Sequence, residues 1–429
     1  MSARLLLICL VLLAGSPARA SAEAAPNAVT DWAGIVQQAI HNPPAAPRSA
    51  GTSQILHTMV MLAVYDAVVA IEGGYQPYRA PIDAPAGANV RAAVAAAAYR
   101  TAYARVGAAQ RLYLDAQYAA YLAAIPDGDG KVAGIAVGEA AAGAILAART
   151  GDGFDNVVPY ACSATPPPIG EFEPDTGCPT GPGSPQPADA KLGQIAPFTF
   201  MGPGRYRVNA PGPFQSNRYA DEFAETRDYG RMDSAVRSPE QTDVAYFWSE
   251  HPYVHWNRNL IRLAVSQGLS LADTARFFAQ VHTTVADAII AGFEAKYRYR
   301  AWRPRTAIAQ ADLDGNHRTD ADPTWQPLLK VNHPEFPSGH GFWSGALLGA
   351  VSAFFGTNDV TWTIVTSKAA VPMLVKDERT YTRLDVLLQE IGNARIWAGL
   401  HWREAIEAGE QIGRRVADDV ARHYFRRVH

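Results

Sequence analysis

Between residues 52 and 149 the chain is a near-continuous series of alanine-rich runs, and this feature restricts its fold more than any other. The runs 52–71, 90–106, 109–125 and 131–149 carry apolar residues at helical spacing. Alanine loses no side-chain entropy in a helix, and small side chains let helices approach closely. Gly73-Gly74 and the stretch Pro126-Asp127-Gly128-Asp129-Gly130 punctuate the runs as turns. Helices resume after Ser238-Pro239-Glu240, where proline suits a first helical position. Ser270 and Asp273 resemble a capping box at the head of a pattern covering 271–293. Further helices are expected from Ser338, from near Asp385 toward Gly399, and over about 405–425. No stretch alternates as a half-buried strand would. The expected fold class is all-α, built of packed helical bundles. Residues 150–237, rich in Pro, Gly and aromatics, read as a long irregular insertion able to cover a pocket.

The two ends of the chain and its charge narrow the setting. Arg4, the apolar run 5–14 and the small residues Ala18-Arg19-Ala20-Ser21-Ala22 have the layout of a secretory signal peptide. The run is too short to span a bilayer, and no later run is read as spanning. The expected organisation is a signal peptide over 1–22 and a single helical domain over 23–429, with its catalytic core in 238–424. The expected location is periplasmic or extracellular, with no integral membrane segment after signal removal. A formal net charge of -3 gives no basic face for general nucleic-acid binding. Of three cysteines Cys9 leaves with the signal, and the remaining pair, Cys162 and Cys178, favours a disulfide in an exported chain.

Three clusters carry chemistry. The first, Lys296-Tyr-Arg-Tyr-Arg-Ala-Trp302-Arg303-Pro304-Arg305, holds five cations and no acid. Arginine forks match tetrahedral oxyanions and lysine adds a point charge. The second, His333-Pro-Glu-Phe-Pro337-Ser338-Gly339-His340-Gly341, opens an apolar helix. Backbone N–H groups at such a terminus form an anion site, Gly339 lets a ligand approach, and His340 on the same turn is placed to move protons. The third, Arg395-Ile-Trp-Ala-Gly399-Leu-His401-Trp-Arg403, would point Arg395 and His401 apart in an unbroken helix. A break at Gly399 lets both face one pocket.

Together, K-x6-R-P, P-S-G-H and R-x3-G-x-H resemble, in order and spacing, the signature of the vanadium haloperoxidase and type 2 phosphatidic acid phosphatase superfamily. Tyr65-Asp66-Ala67 and the segment 312–325 look like its soluble bacterial haloperoxidase branch. The resemblance implies vanadate as cofactor, with phosphate as a competing anion. Lys296, Arg303 and Arg395 would neutralise its equatorial oxygens, and Ser338 and the Gly339 N–H would donate to them. His401 would be the axial vanadium ligand and His340 the acid/base. His333 stands where members of the family place a residue near the halide, and a histidine there resembles algal bromoperoxidases more than fungal chloroperoxidases. The implied reactants are hydrogen peroxide, a halide (bromide or iodide favoured) and a small organic acceptor. One departure stands out: the family often carries an aspartate four residues after the axial histidine, and here that position is Ala405. Glu404 and Glu407 are close in sequence but not at that spacing, and a carbonyl, or an acid from elsewhere such as Asp287, could substitute.

Two further readings compete. A secreted acid phosphatase would use the same pocket, with His401 forming a phosphohistidine and His340 protonating the leaving oxygen. A catalytically inactive helical binding protein ranks last, because an intact cage of cations and histidines is an improbable relic. Glu250-His251 with His255 is set aside as a zinc site because Pro252 interrupts the helical face. The stretch Asp312-Leu-Asp314-Gly315-Asn316 is read as a turn rather than a calcium loop.

Overall fold

A computed structural model describes residues 26–41, 48–181 and 183–428, so the expected signal peptide lies outside the described residues. The alanine-rich third forms α1 (Ala28–His41), α2 (Ala50–Glu72), α3 (Val90–Tyr103), α4 (Ala108–Ala123) and α5 (Asp129–Ala148). After the long connection come α6 (Asn217–Gly230), α7 (Pro239–Phe247), α8 (Pro252–Ser266), α9 (Leu271–Tyr299) and α10 (Pro304–Ala309). The last part holds α11 (Gly339–Phe355), strands β1 (Trp362–Val365) and β2 (Glu378–Tyr381), α12 (Leu384–Trp397) and α13 (Arg403–His423). The protein is mostly helical, as its periodicity requires.

Helix α2 is the centre of the N-terminal bundle. The Ser49 hydroxyl caps it by accepting the Thr52 N–H at 3.2 Å, and residues 51–69 are all buried. A helix apolar around its whole circumference must be enclosed, and α1, α3, α5, α8 and α9 pack on it. By length and composition α2 and α5 could each cross a membrane, which corrects the reading that no later run reaches spanning length. Here α2 is covered by its neighbours, while glycines of α5 seat directly on the backbone of α3.

Helices α11 and α13 form the closest pair, because glycines face each other across the contact. A Cβ at Gly341 would stand 2.7 Å from the Ile406 carbonyl oxygen, and one at Gly409 2.6 Å from that of Ser338. Larger residues would push the axes apart and move the start of α11 with them.

Three features depart from the sequence reading. The two strands pair antiparallel, Trp362 opposite Tyr381 and Val365 opposite Glu378. Four residues each is too short for alternation to register, and the hairpin is hooked to α8 by Asn259, whose side chain bonds both N–H and C=O of Val365. The insertion is not wholly irregular, since it contains α6, capped by Ser216, and two 3-10 turns, Leu192–Gln194 and Pro203–Tyr206. Pro252 does not interrupt a helix but begins α8 at its first position. His251 then contacts the Arg48 carbonyl, and His255 the Thr366 hydroxyl.

Cys162 and Cys178 are joined, with Cα atoms 5.7 Å apart and a sequence separation of 16. Closing a loop of that length stabilises the native state by about 3 kcal/mol in the chain-entropy model. Both thiols should alkylate only after reduction, and Cys162→Ser should lower the unfolding free energy by about that amount. Two alkylatable thiols in unreduced protein would remove the bridge.

Candidate active site

The three clusters meet at one end of α9. Lys296 lies in the last turn of that helix, which ends as Arg300 adopts φ 53°, so the chain reverses and Arg303 caps α10. The Lys296 ammonium donates to the carbonyls of Pro334 and Glu335 at 2.9 and 3.0 Å. Arg303 donates to the His333 carbonyl at 2.7 Å, to the Leu400 carbonyl at 2.9 Å and to the Pro334 carbonyl at 3.2 Å. These two cations therefore clamp the segment that precedes α11. The other cations of the cluster turn outward, with Arg300 pairing with Glu171 and Arg305 with Asp175.

Ser338 is the N-cap of α11, its hydroxyl accepting the Gly341 N–H at 3.3 Å and its own N–H bonding the Ala405 carbonyl at 2.8 Å. The third cluster breaks as expected. Helix α12 ends at Trp397, Gly399 takes φ 74°, and a Cβ there would meet the Gly230 carbonyl oxygen at 2.5 Å. Only glycine fits both constraints. The Leu400 N–H then bonds back to the Arg395 carbonyl at 3.0 Å, which brings Arg395 and His401 to one cavity.

That cavity is about 340 Å³. Its polar end is lined by His333, Gly339, His340, Arg395 and His401, and its apolar side by Trp256, Phe293, Phe342, Trp343 and Leu400. Lys296, Arg303 and Ser338 are buried and are not among the residues that line it. All five donors of Arg303 are engaged, two of them on ring nitrogens: His401 Nε2 at 3.2 Å and His333 Nδ1 at 2.8 Å. Those are the contacts that oxygens of a bound anion would replace. Arg395 gives one N–H to the Trp248 carbonyl at 2.8 Å, and its Nε has no partner among the described residues.

Charge makes the same argument. Lys296, Arg303 and Arg395 are buried, and Glu335 is the carboxylate set among them. Burial, with Arg303 next, drives the Lys296 ammonium well below its ordinary value. Burial pushes the Glu335 carboxyl up to about 8 against the pull of Arg303 and Lys296. Buried cations in excess are costly unless an anion joins them. The residues fit a tetrahedral oxyanion. A Cβ at Gly339, which lines the cavity, would have only Lys296 Cε and Phe342 Cζ within reach, both at 3.9 Å. That glycine leaves room for a group at the helix terminus.

The partner of His401 is Glu335. Its Oε1 lies 2.8 Å from His401 Nδ1 and also accepts the Trp402 N–H at 3.1 Å. An oxygen already accepting from a backbone N–H favours the tautomer in which His401 Nδ1 donates, leaving a lone pair on Nε2. Burial, then Arg303, Lys296 and Arg395, hold the imidazole well below its usual pKa, so the ring is neutral. Asp287, named from the sequence as a substitute acid, does not reach the site. It accepts the N–H groups of Phe198 and Thr199 and ties the insertion to α9. The signal for Glu335 lay within the second cluster, three residues before Ser338, but nothing local marks it as facing residue 401. His340 lines the cavity, and burial and then Arg395 lower its pKa well below the ordinary value, partly offset by the Trp248 carbonyl. His333 also lines it, packed on Phe293 with ring centroids 5.8 Å apart.

The helical scaffold is similar to that of the vanadium haloperoxidases. Residues 276–429, which carry all three clusters, match the family model described as the VCPO second helical-bundle domain. The vanadium chloroperoxidase of Curvularia inaequalis is 24% identical over 275 residues, which are 48% of this chain and 44% of that protein. The chain thus spans less than half the length of this curated relative. Among solved structures, a bacterial vanadium-dependent iodoperoxidase aligns with a TM-score of 0.73 at 21% identity, covering 93% of this chain and 96% of the other. A holo-type bacterial vanadium-dependent chloroperoxidase aligns at 0.70 and 17% identity, covering 94% and 98%. The resemblance to vanadium-dependent haloperoxidases read from the three motifs holds, and the fold is theirs.

Proposed function

We propose that this protein is an exported, vanadate-dependent haloperoxidase that oxidises bromide or iodide with hydrogen peroxide. One observation carries the reading: buried cations outnumber the carboxylate that faces them, at a helix N-terminus beside a histidine whose Nδ1 is held by Glu335 and whose Nε2 faces an Arg303 N–H at 3.2 Å. When bound, vanadate supplies the Lewis-acid centre at which peroxide oxidises the halide. The net reaction takes halide, peroxide and one proton to hypohalous acid and water.

The chain's own residues do the rest. His401 Nε2 would bind the vanadium, and Glu335 would hold its ring in the tautomer that leaves that nitrogen unprotonated. Lys296, Arg303 and Arg395 neutralise the oxyanion, while Ser338 and the Gly339 N–H donate to it. A preorganised set of donors stabilises charge that develops on those oxygens. His340, a neutral base against the same wall, takes and returns the proton. His333 stands at the halide side of the cavity, its ring held by Arg303. Export, with residues 1–22 as leader and 23–429 as one domain, agrees with the Cys162–Cys178 bridge.

A specific observation also favours a phosphatase as the second reading. Glu335 supplies the orientation that Ala405 cannot, so His401 is also arranged as a nucleophile. One experiment separates the two. Apo protein should oxidise bromide only after vanadate is added, and excess phosphate should block that reconstitution. Phosphomonoester turnover by the apo protein, with no vanadate-dependent bromide oxidation, would replace the first reading by the second.

A further inference from the structure

The cavity is larger than its implied small reactants need. A water's share of liquid volume is about 30 Å³, and vanadate, peroxide and a halide together take roughly six such shares, which leaves a substantial part of about 340 Å³ unused. Organic ligand pockets begin near this size. Besides the polar end, the cavity is lined by Trp256, Phe293, Phe342 and Trp343, by Lys330, and by one carboxylate, Asp189, contributed by the insertion.

Asp189 is held in place from several sides. It sits at φ 67°, a conformation rare outside glycine, immediately after Ala188, whose N–H bonds the Asn332 carbonyl at 2.8 Å and whose carbonyl accepts the Tyr297 hydroxyl. Backbone held in that region persists only where the surroundings over-determine it. Just beyond, Gly193 lies so close to α9 that a Cβ would stand 2.5 Å from the Glu294 nitrogen. One carboxylate oxygen accepts the Ser49 hydroxyl, and Asp189 forms no ion pair among the described residues. The nearby Lys191 ammonium is directed to the Phe154 carbonyl at 2.7 Å. Burial pushes the Asp189 carboxyl up to about 6, against the Ser49 hydroxyl and Lys191, which favour its ionised form. Aromatic faces combined with one fixed carboxylate are the chemistry that recognises an organic ammonium.

We propose that the apolar side of the cavity is a binding subsite for a cationic aromatic amine, with Asp189 as the counter-charge to its ammonium. The amine is thereby the organic acceptor, a role that rests on the haloperoxidase reading, whereas its binding does not. In that role the ring exchanges a C–H proton for halogen from hypohalous acid, and water leaves.

The test uses vanadate-loaded protein without peroxide or halide. Calorimetry with tyramine, p-cresol and 4-hydroxyphenylacetate should rank them in that order, with tyramine at least about tenfold tighter than p-cresol, a difference of 1.4 kcal/mol. Asp189→Asn should bring tyramine to the level of p-cresol while bromide oxidation persists. Equal affinities for the three compounds in the unaltered protein overturn the subsite, whatever the variant does. A tyramine preference that survives Asp189→Asn overturns the role of Asp189. If the preference is present and bromide oxidation absent, the subsite stands and the haloperoxidase reading falls.

Discussion

Replacing His401 by alanine should abolish both tight vanadate binding and bromide oxidation, whereas replacing His340 should spare binding and remove only turnover. The two histidines line the same cavity but make different contacts. His401 Nδ1 lies 2.8 Å from a Glu335 oxygen, and in the proposed reading its Nε2, which faces an Arg303 N–H at 3.2 Å, would exchange that contact for the cofactor. Metal ligands oriented by a carboxylate in this way lose much of their affinity when either member is removed. His340 enters from the first turn of α11, beside Arg395, and in the proposed reading would transfer protons instead. His340→Ala should therefore lower kcat by roughly 10²–10⁴-fold, the usual worth of a positioned general acid/base. Lys296, Arg303 and Arg395 would still hold vanadate in that variant. Equilibrium dialysis with vanadate beside a bromide-oxidation assay reads both quantities. Vanadate binding by His401→Ala equal to that of the unaltered protein would show that His401 is not the ligand.

The second large effect is on stability, at Glu335. Its carboxylate lies among the buried cations, and Glu335→Gln keeps its shape while removing the charge. Removing one partner from a buried charge cluster typically costs 3–5 kcal/mol, because the opposite charges stay buried without compensation. Because burial holds the Glu335 carboxyl up at about 8, the apo variant should be less stable by about 3 kcal/mol in urea unfolding at about pH 9, where that carboxyl is ionised, and by much less at neutral pH. An anion restores part of the balance, and ligand at about 100 times its dissociation constant adds about 2.7 kcal/mol. Vanadate or phosphate should accordingly narrow the gap between variant and parent. At that alkaline pH, an apo Glu335→Gln protein within about 0.5 kcal/mol of the parent, the range usual for surface substitutions, would mean that the three cations are not balanced through Glu335.

Much of this site is legible in the chain because its signals are local. Ser338 ahead of an apolar run marks a capped helix terminus, and Gly399 between Arg395 and His401 marks the turn that lets both face inward. Helix position follows from periodicity over a few turns, so α2, α3, α5, α9 and α11 appear within a few residues of where spacing places them. Where α9 runs on to Tyr299, past the end of its apolar pattern, its last turn is held by packing and by the left-handed Arg300. The small hairpin and the helix α6 were not read, because short elements are set by the partners they pack against.

The sequence alone determined the all-α class, the cations, the helix terminus that offers an anion site and the two histidines beside it. These depend on neighbours within one or two helical turns, where propensity, capping and spacing act. Tertiary structure decided which acid orients His401 and which carboxylate enters the cavity. Glu335 and His401 are 66 residues apart, and their contact exists because α11 and α13 meet glycine to glycine and carry both segments to the end of α9. Asp189 reaches the cavity from an insertion that no periodic pattern constrains, fastened by hydrogen bonds to Asn332 and Tyr297 far along the chain. Contacts across such distances follow from how whole helices pack, and no residue's immediate neighbours encode them.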